Sequence, residues 1–88
     1  MKARDVCEFM PRFFLHYCDG QEWTRDESGI AFDDAEAARA EAIRSARSMM
    51  AEDVQEGHLR LAPFIEIEDE ERRPLFRIPF GACVQVEY

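Results

Sequence analysis

The sequence has 88 residues, a length that suits one domain. Its 11 Lys and Arg residues are outnumbered by 19 Asp and Glu residues, so the net charge is −8 and most of the surface would repel a phosphate backbone. We therefore expect no nucleic-acid partner, and because no apolar run approaches about 18 residues, we expect no membrane partner and a soluble, cytoplasmic protein.

The first strand is predicted over the segment that follows Met10-Pro11. Side-chain alternation places one set of residues on the core face: Phe13, Leu15 and Tyr17. It places a second set on the other face: Arg12, Phe14, His16 and Cys18. Because this second face also carries aromatic groups, we expect it to need a cover, which a second copy of the chain could supply.

A turn at Asp19-Gly20 leads into a short return strand over residues 22–25, which contains Trp23. A second turn at residues 26–29 then leads toward a helix. On the predicted hairpin, the candidate interface for a homodimer or another protein partner consists of four residues: Arg12, Phe14, His16 and Trp23.

One long helix is predicted over residues 34–56, which contain neither Pro nor Gly and are rich in Ala. Asp33 and Glu36 have the spacing of a capping box, and Gly57 is the natural residue to follow the last turn. The helical period gathers one packing face: Ala35, Ala38, Ala42, Ile43, Ala46, Met49, Met50 and Val54.

The last third of the sequence predicts a second hairpin, with strands over 64–68 and 74–80 and a charged turn between them. Residues 82–88 alternate again, which suggests a possible fifth short strand. The fold class is therefore α+β, in the order β-β-α-β-β, with one helix packed on a small antiparallel sheet. We expect residues 10–88 to form this single domain and residues 1–9 to be a disordered N-terminal extension.

Metal-binding chemistry has two weak candidates. Five carboxylates cluster at the second hairpin, although a solvated turn neutralised by neighbouring arginines explains them as well: Glu66, Glu68, Asp69, Glu70 and Glu71. His16 and Cys18 share a strand face and could be joined by Cys83 or His58, but zinc requires four ligands with defined spacing. The three cysteines have no CxxC spacing, so we expect free thiols, no cofactor and no metal.

No nucleophile motif, phosphate-binding loop or dinucleotide fingerprint is present, so we expect a protein without catalytic residues. A basic patch for an anionic ligand would arise if several arginines shared one sheet face, whereas cross-strand pairing with Glu22, Glu66 and Glu68 would neutralise them. These arginines are Arg12, Arg25, Arg72, Arg73 and Arg77.

The Met-Pro-Arg-aromatic start at residues 10–13, the two turns, the Ala-rich helix and the closing strands together resemble a family of short bacterial proteins. That family is known only as a domain of unknown function, so the resemblance implies no activity, cofactor or catalytic residue. It also implies that residues 1–9 precede the family's usual start. A fold-level similarity to antitoxins of the HicB type is weaker, because the chain has no added DNA-binding segment and no Tyr-rich second strand.

Three functional hypotheses follow from these features. We favour a non-catalytic homo-oligomeric interaction module, because the first strand is apolar on both sides and the core is small. The alternative is a small-ligand or metal-binding protein that uses the exposed sheet face or the acidic hairpin. A further alternative is an antitoxin-like regulatory partner of the HicB type.

Overall fold

The computed structural model describes residues 10–87. Residues 1–9, which the sequence predicts to be disordered, lie outside this range. The elements in chain order are β1 (Arg12–Cys18), β2 (Trp23–Thr24), β3 (Ile30–Ala31), α1 (Ala35–Gln55), β4 (Phe64–Glu68), β5 (Pro74–Pro79) and a 3₁₀ helix (Phe80–Ala82). The α+β class, with one helix on a small antiparallel sheet, is confirmed.

The sheet is built around the antiparallel pair of β1 and β4. Its strand order is β2-β1-β4-β5, and β3 pairs with the beginning of β1 while β2 pairs with its end. The predicted alternation of β1 is confirmed, because Phe13 joins the core under the helix whereas Phe14 lies on the opposite sheet face. The residues that join β2 to β3 therefore run along the outer edge of β1.

The fifth strand is β3, which the sequence did not predict, and not the C-terminal segment. Residues 80–82 form a 3₁₀ helix, and residues 83–87 contain no strand. The reason is that the backbone turns back on the preceding loop: the N–H of Phe80 donates to the carbonyl of Pro63, and the N–H of Gly81 donates to that of Leu61. Tyr88, the last residue of the predicted strand, lies outside the described residues.

The helix begins one residue later than predicted. Asp34 is the N-cap, and its carboxylate accepts a hydrogen bond of 2.9 Å from the N–H of Ala37. Glu36 is therefore too close to the cap to complete a capping box with it. At the other end the prediction is confirmed, since Gly57 follows the C-cap residue in a left-handed conformation with φ of 91°.

Alanines let the helix approach the sheet closely. Ala38, Ala42 and Ala46 are fully buried, and Met50 continues their row toward the C-terminal end. With no side chain beyond Cβ at three successive turns, the gap is filled by large groups from the sheet side, among them Phe13, Ile65, Ile67, Ile78 and Phe80.

One position of the predicted packing face is wrong. Val54 is 59% exposed, whereas its neighbour Asp53 is only 6% exposed. The Asp53 carboxylate accepts two hydrogen bonds of 3.2 Å from Arg60 and lies 3.3 Å from His58 Nε2. The loop after the helix therefore supplies charged partners that make burial of an acidic side chain favourable, and the apolar Val54 is left outside.

This ion pair predicts an acid-sensitive contribution to stability. The hydrogen bond from Arg60 is the main cause that lowers the pKa of Asp53 below its ordinary value of 3.8. Because the folded pKa is the lower one, the contribution is present above the unfolded pKa and is lost as the pH falls through the folded pKa. We expect Asp53→Asn to lower the urea midpoint at neutral pH. The difference in urea midpoint between this variant and the wild type should become smaller as the pH falls below about 4.

The exposed neighbour Glu52 provides the control. Glu52→Gln should leave the urea midpoint near that of the wild type at both pH values. A gap between the wild type and Asp53→Asn that stays constant down to strongly acidic pH would contradict the linkage.

Candidate functional site

The sheet face that points away from α1 is covered by the chain itself. Phe14 is 8% exposed and His16 is 1% exposed, so the expectation that this face stays open in a single chain is wrong for these two residues. The cover consists of residues 25–29, called here the cover loop, and the side chain of Arg72. A partner could reach Phe14 and His16 only if this cover moved.

Asp26 fastens the cover loop to the outer edge of β1. Its carboxylate accepts hydrogen bonds from the N–H of Leu15 (3.3 Å) and the N–H of Gly29 (2.9 Å), and its own N–H donates to His16 Nδ1 at 3.1 Å. The Leu15 N–H, which lies between the points where β2 and β3 pair, is thereby satisfied by a side chain instead of a strand.

Arg12 fastens the far end of the same loop. Its guanidinium donates to the carbonyls of Ser28 (3.0 Å) and Gly29 (3.1 Å). Its backbone N–H donates to the Glu70 carboxylate of the second hairpin. Arg12, one of the predicted interface residues, is therefore engaged within the chain and ties the cover loop to the start of β1.

His16 uses both ring nitrogens. Because Nδ1 accepts the Asp26 N–H, Nε2 must carry the proton of the neutral ring, and it donates to Glu68 Oε1 at 2.9 Å. The ring also lies nearly parallel to that of Phe14, with an angle of 8° between the planes and 6.5 Å between the centroids. The imidazole is thus held in one tautomer between the cover loop and β4.

Arginines stack on the aromatic rings of this face. Arg72 lies 3.7 Å above the Phe14 ring, and Arg72 itself adopts a left-handed conformation with φ of 65°. Trp23, which is 36% exposed, meets Phe64 edge to face at 5.3 Å. The Arg25 guanidinium lies 4.4 Å from the centre of the Trp23 ring, and the Arg77 guanidinium lies 4.3 Å from the centre of the Phe64 ring. Such contacts shield apolar rings from water while the charges stay solvated.

Three of the five predicted arginines therefore share this face: Arg25, Arg72 and Arg77. Carboxylates of β4 oppose two of them, since Arg77 lies 3.4 Å from Glu66 and Arg72 lies 3.8 Å from Glu68. The basic patch and the cross-strand pairing, which the sequence left as alternatives, are both present in part.

The five carboxylates of the second hairpin are not brought together around one point. Asp69 accepts hydrogen bonds from the N–H groups of Glu71 and Arg73, and the bond from Arg73 is the main cause that lowers its pKa. The others have separate partners: Glu66 with Arg77, Glu68 with His16, Glu70 with the Arg12 N–H, and Glu71 with Arg73. Among residues 10–87, no three His, Cys, Asp or Glu side chains are grouped to hold a metal ion.

The alternative ligand set is separated by the sheet. His16 and Cys18 lie on the sheet face that points away from α1, whereas Cys83 is buried in the core with the helix residues. His58 lies next to Asp53 at the end of α1. The fold therefore places only His16 and Cys18 on a common surface, as neighbours on one strand.

An apolar groove runs between the C-terminal half of α1 and the segment that follows the 3₁₀ helix. It has a volume of about 390 Å³ and is lined by Arg47, Met50, Ala51, Val54, Leu59, Val84, Gln85 and Val86. Four of its aliphatic side chains are between 37% and 59% exposed: Val54, Leu59, Val84 and Val86. We call this surface the valine groove.

The walls of the valine groove are tied together by one hydrogen bond and one buried thiol. Arg47 Nε donates to the carbonyl of Cys83 at 2.7 Å, which fixes the C-terminal segment beside the helix. The Cys83 side chain is buried, and this burial raises the pKa of its thiol. Sequence reasoning missed the groove because it placed Val54 in the core, although the alternation of Val84 and Val86 did indicate an apolar side.

The fold and its surfaces define a small α+β domain with two distinctive surfaces, a covered sheet face and an open apolar groove. The family model for the domain of unknown function DUF6894 matches residues 12–81, and the chain belongs to this family. The resemblance drawn from the sequence is thereby confirmed. No curated protein and no solved structure matches the chain. Across residues 10–87, no helix has the length and apolar character needed to cross a bilayer.

Burial of Phe14 predicts a structural role in the single chain. We expect Phe14→Ala to reduce the free energy of unfolding by about 3 kcal/mol, because the cavity would lie under both Arg72 and the cover loop. Leu75→Ala, at a side chain that is 40% exposed, should lose less than about 1 kcal/mol. Equal urea midpoints for the two variants would contradict the assigned burial.

Gly29 in the cover loop is a second position at which we expect substitution to destabilise the fold. It has φ of 77°, and a Cβ there would lie 2.6 Å from Arg12 Cγ and 3.0 Å from the Phe14 ring. We expect Gly29→Ala to lose at least about 2 kcal/mol, from left-handed strain together with displacement of the Arg12 side chain.

The variant Gly20→Ala separates backbone strain from the steric clash, which Gly29→Ala combines. Gly20 also has positive φ, but a Cβ at this position would meet nothing within 4 Å. Gly20→Ala should therefore show only the backbone strain, about 1 kcal/mol. Thermal or urea unfolding of both variants measures the difference, and equal losses would show that the cover loop is not packed tightly on Arg12 and Phe14.

Proposed function

We propose that this protein is a non-catalytic interaction module that forms a homodimer through the valine groove. The observation that carries the proposal is the exposure of four aliphatic side chains around one concave surface, on an 88-residue chain with a small core. Contiguous apolar surface of this kind is typical of protein interaction sites. Burial against a second copy would remove it from water and would extend the core.

Side-chain size favours a second copy as the occupant. An antiparallel crossing of two α1 helices, centred between Ala51 and Val54, sets Val54 of each copy against the small Ala51 of the other. Each groove therefore meets an apolar ridge of the second copy.

The free edge of the sheet is a poorer surface for self-association. β5 is an edge strand that begins with Pro74 and ends with Pro79, and neither residue has an N–H to donate to a further strand. Only four residues lie between the prolines, which leaves few backbone N–H groups for pairing across this edge. This contrast supports the valine groove as the dimer surface.

A cytoplasmic location is part of the proposal. Cys18 and Cys83 are both free and buried, which suits a reducing compartment. The ligand-binding and HicB-type alternatives remain predictions. Within residues 10–87, the exposed valine groove favours self-association over either of them.

Sedimentation velocity over a concentration series tests the dimer. We expect the wild type to shift from monomer to dimer between low micromolar and sub-millimolar concentration. Val54→Glu should remain monomeric, because each copy would place an unpaired carboxylate on the apolar groove. Leu75→Glu is the matched control, since Leu75 is similarly exposed but lies on β5, outside the groove.

Circular dichroism and thermal unfolding show whether both variants are folded. A wild type that stays monomeric at sub-millimolar concentration would overturn the proposed dimer. So would a dimer that Leu75→Glu disrupts and Val54→Glu does not.

A further inference from the structure

We propose that His16 is an acid-sensitive latch: protonation of its Nδ1 releases the cover loop and uncovers Phe14 and the middle of the β1 edge. The latch is the hydrogen bond from the Asp26 N–H to His16 Nδ1. It does not depend on the proposed dimer, which uses a different surface of the molecule.

The two ring nitrogens respond to a proton in opposite ways. A protonated imidazole is a donor at both nitrogens, so Nδ1 can no longer accept the Asp26 N–H, and the two N–H groups would face each other. At Nε2 the contact with Glu68, now between opposite charges, is retained and strengthened. Protonation therefore keeps the ring attached to β4 and breaks the bond between the ring and the cover loop.

Charged groups around the ring come from every neighbouring element. Glu66 is the cross-strand partner of His16 on β4, and Glu68 is its ion-pair partner. Each of these carboxylates also has an arginine, which moderates its field at the imidazole. The remaining charged groups are Arg72 of the hairpin turn, Arg77 of β5, Arg12 of β1, and Arg25 and Asp26 of the cover loop.

The Asp26 carboxylate is already committed to two backbone N–H groups. It accepts from Leu15 and Gly29, so it can approach the new Nδ1 proton only by leaving at least one of them. Whether the carboxylate turns toward the ring or stays in place, the cover loop loses at least one hydrogen bond to β1. Arg12 still holds the carbonyls of Ser28 and Gly29, so the far end of the loop acts as the hinge.

Release of the loop exposes groups that an extended protein segment recognises. Once the Asp26 carboxylate leaves the Leu15 N–H, that group becomes a free edge donor between β2 and β3, beside the Phe14 ring. Addition of a strand to a sheet edge uses such a backbone donor together with an apolar anchor. At neutral pH the same edge is closed by Asp26 and the cover loop.

Nuclear magnetic resonance of the full chain, uniformly labelled with ¹⁵N, tests the latch. At neutral pH the ring nitrogen shifts should show a neutral imidazole with its proton on Nε2. On acidification until the ring is protonated, the protection of the Asp26 amide against hydrogen exchange should fall by about tenfold or more, after correction for the intrinsic rate. The Phe32 amide, which donates to the Pro11 carbonyl, should keep its protection and serves as internal reference.

Two substitutions at His16 separate the role of Nδ1 from the role of Nε2. His16→Asn keeps an acceptor near the Nδ1 position and cannot titrate, so the Asp26 amide should stay protected at both pH values. His16→Gln keeps a donor near the Nε2 position and has no acceptor at Nδ1, so that amide should be unprotected at both. His58→Gln, at the other histidine, should leave the pH response of the wild type unchanged.

Each measurement can overturn the latch. An Asp26 amide in the wild type whose protection does not change while His16 becomes protonated would do so without any variant. A ring proton on Nδ1 at neutral pH would also do so. If His16→Asn folds and still shows the pH response of the wild type, His16 is not its source.

Discussion

The close approach of an alanine-lined helix to the sheet is the constraint on which the rest of this fold depends. Ala38, Ala42 and Ala46 bring the axis of α1 near to β1 and β4, so the core is made mainly of side chains from the sheet. The alanines supply little apolar area of their own. The domain consequently relies on large residues such as Phe13 and Phe80 for the burial that stabilises it.

A single helix can cover only one side of a sheet, and the other side determines much of the remaining structure. A short loop and the side chain of Arg72 close over Phe14 and His16, while Arg25 and Arg77 lie on the rings of Trp23 and Phe64. The glutamates of β4 pair with Arg72 and Arg77. Loop and arginines together replace the second layer that a larger domain would supply with a helix or another sheet.

The features predicted from the sequence were those set by local periodicity. The two faces of β1 follow from strict alternation, and the end of α1 follows from Gly57. The helix start was displaced because two adjacent aspartates can each serve as a cap. Asp53 was missed for a different reason: its burial depends on Arg60, and nothing in the helical period reveals a partner that folds back from the following loop. The cover over His16 likewise joins residues from separate turns.

The two prolines of β5 limit how copies of this chain can assemble. A sheet with a free edge can add strands from one copy after another, which leads to open-ended fibres. Pro74 and Pro79 interrupt the donor row at both ends of that edge, so growth by strand addition is opposed there. The proposed association through the valine groove would instead close after two copies. Whichever surface the copies use, polymerisation at the β5 edge is opposed by these two prolines.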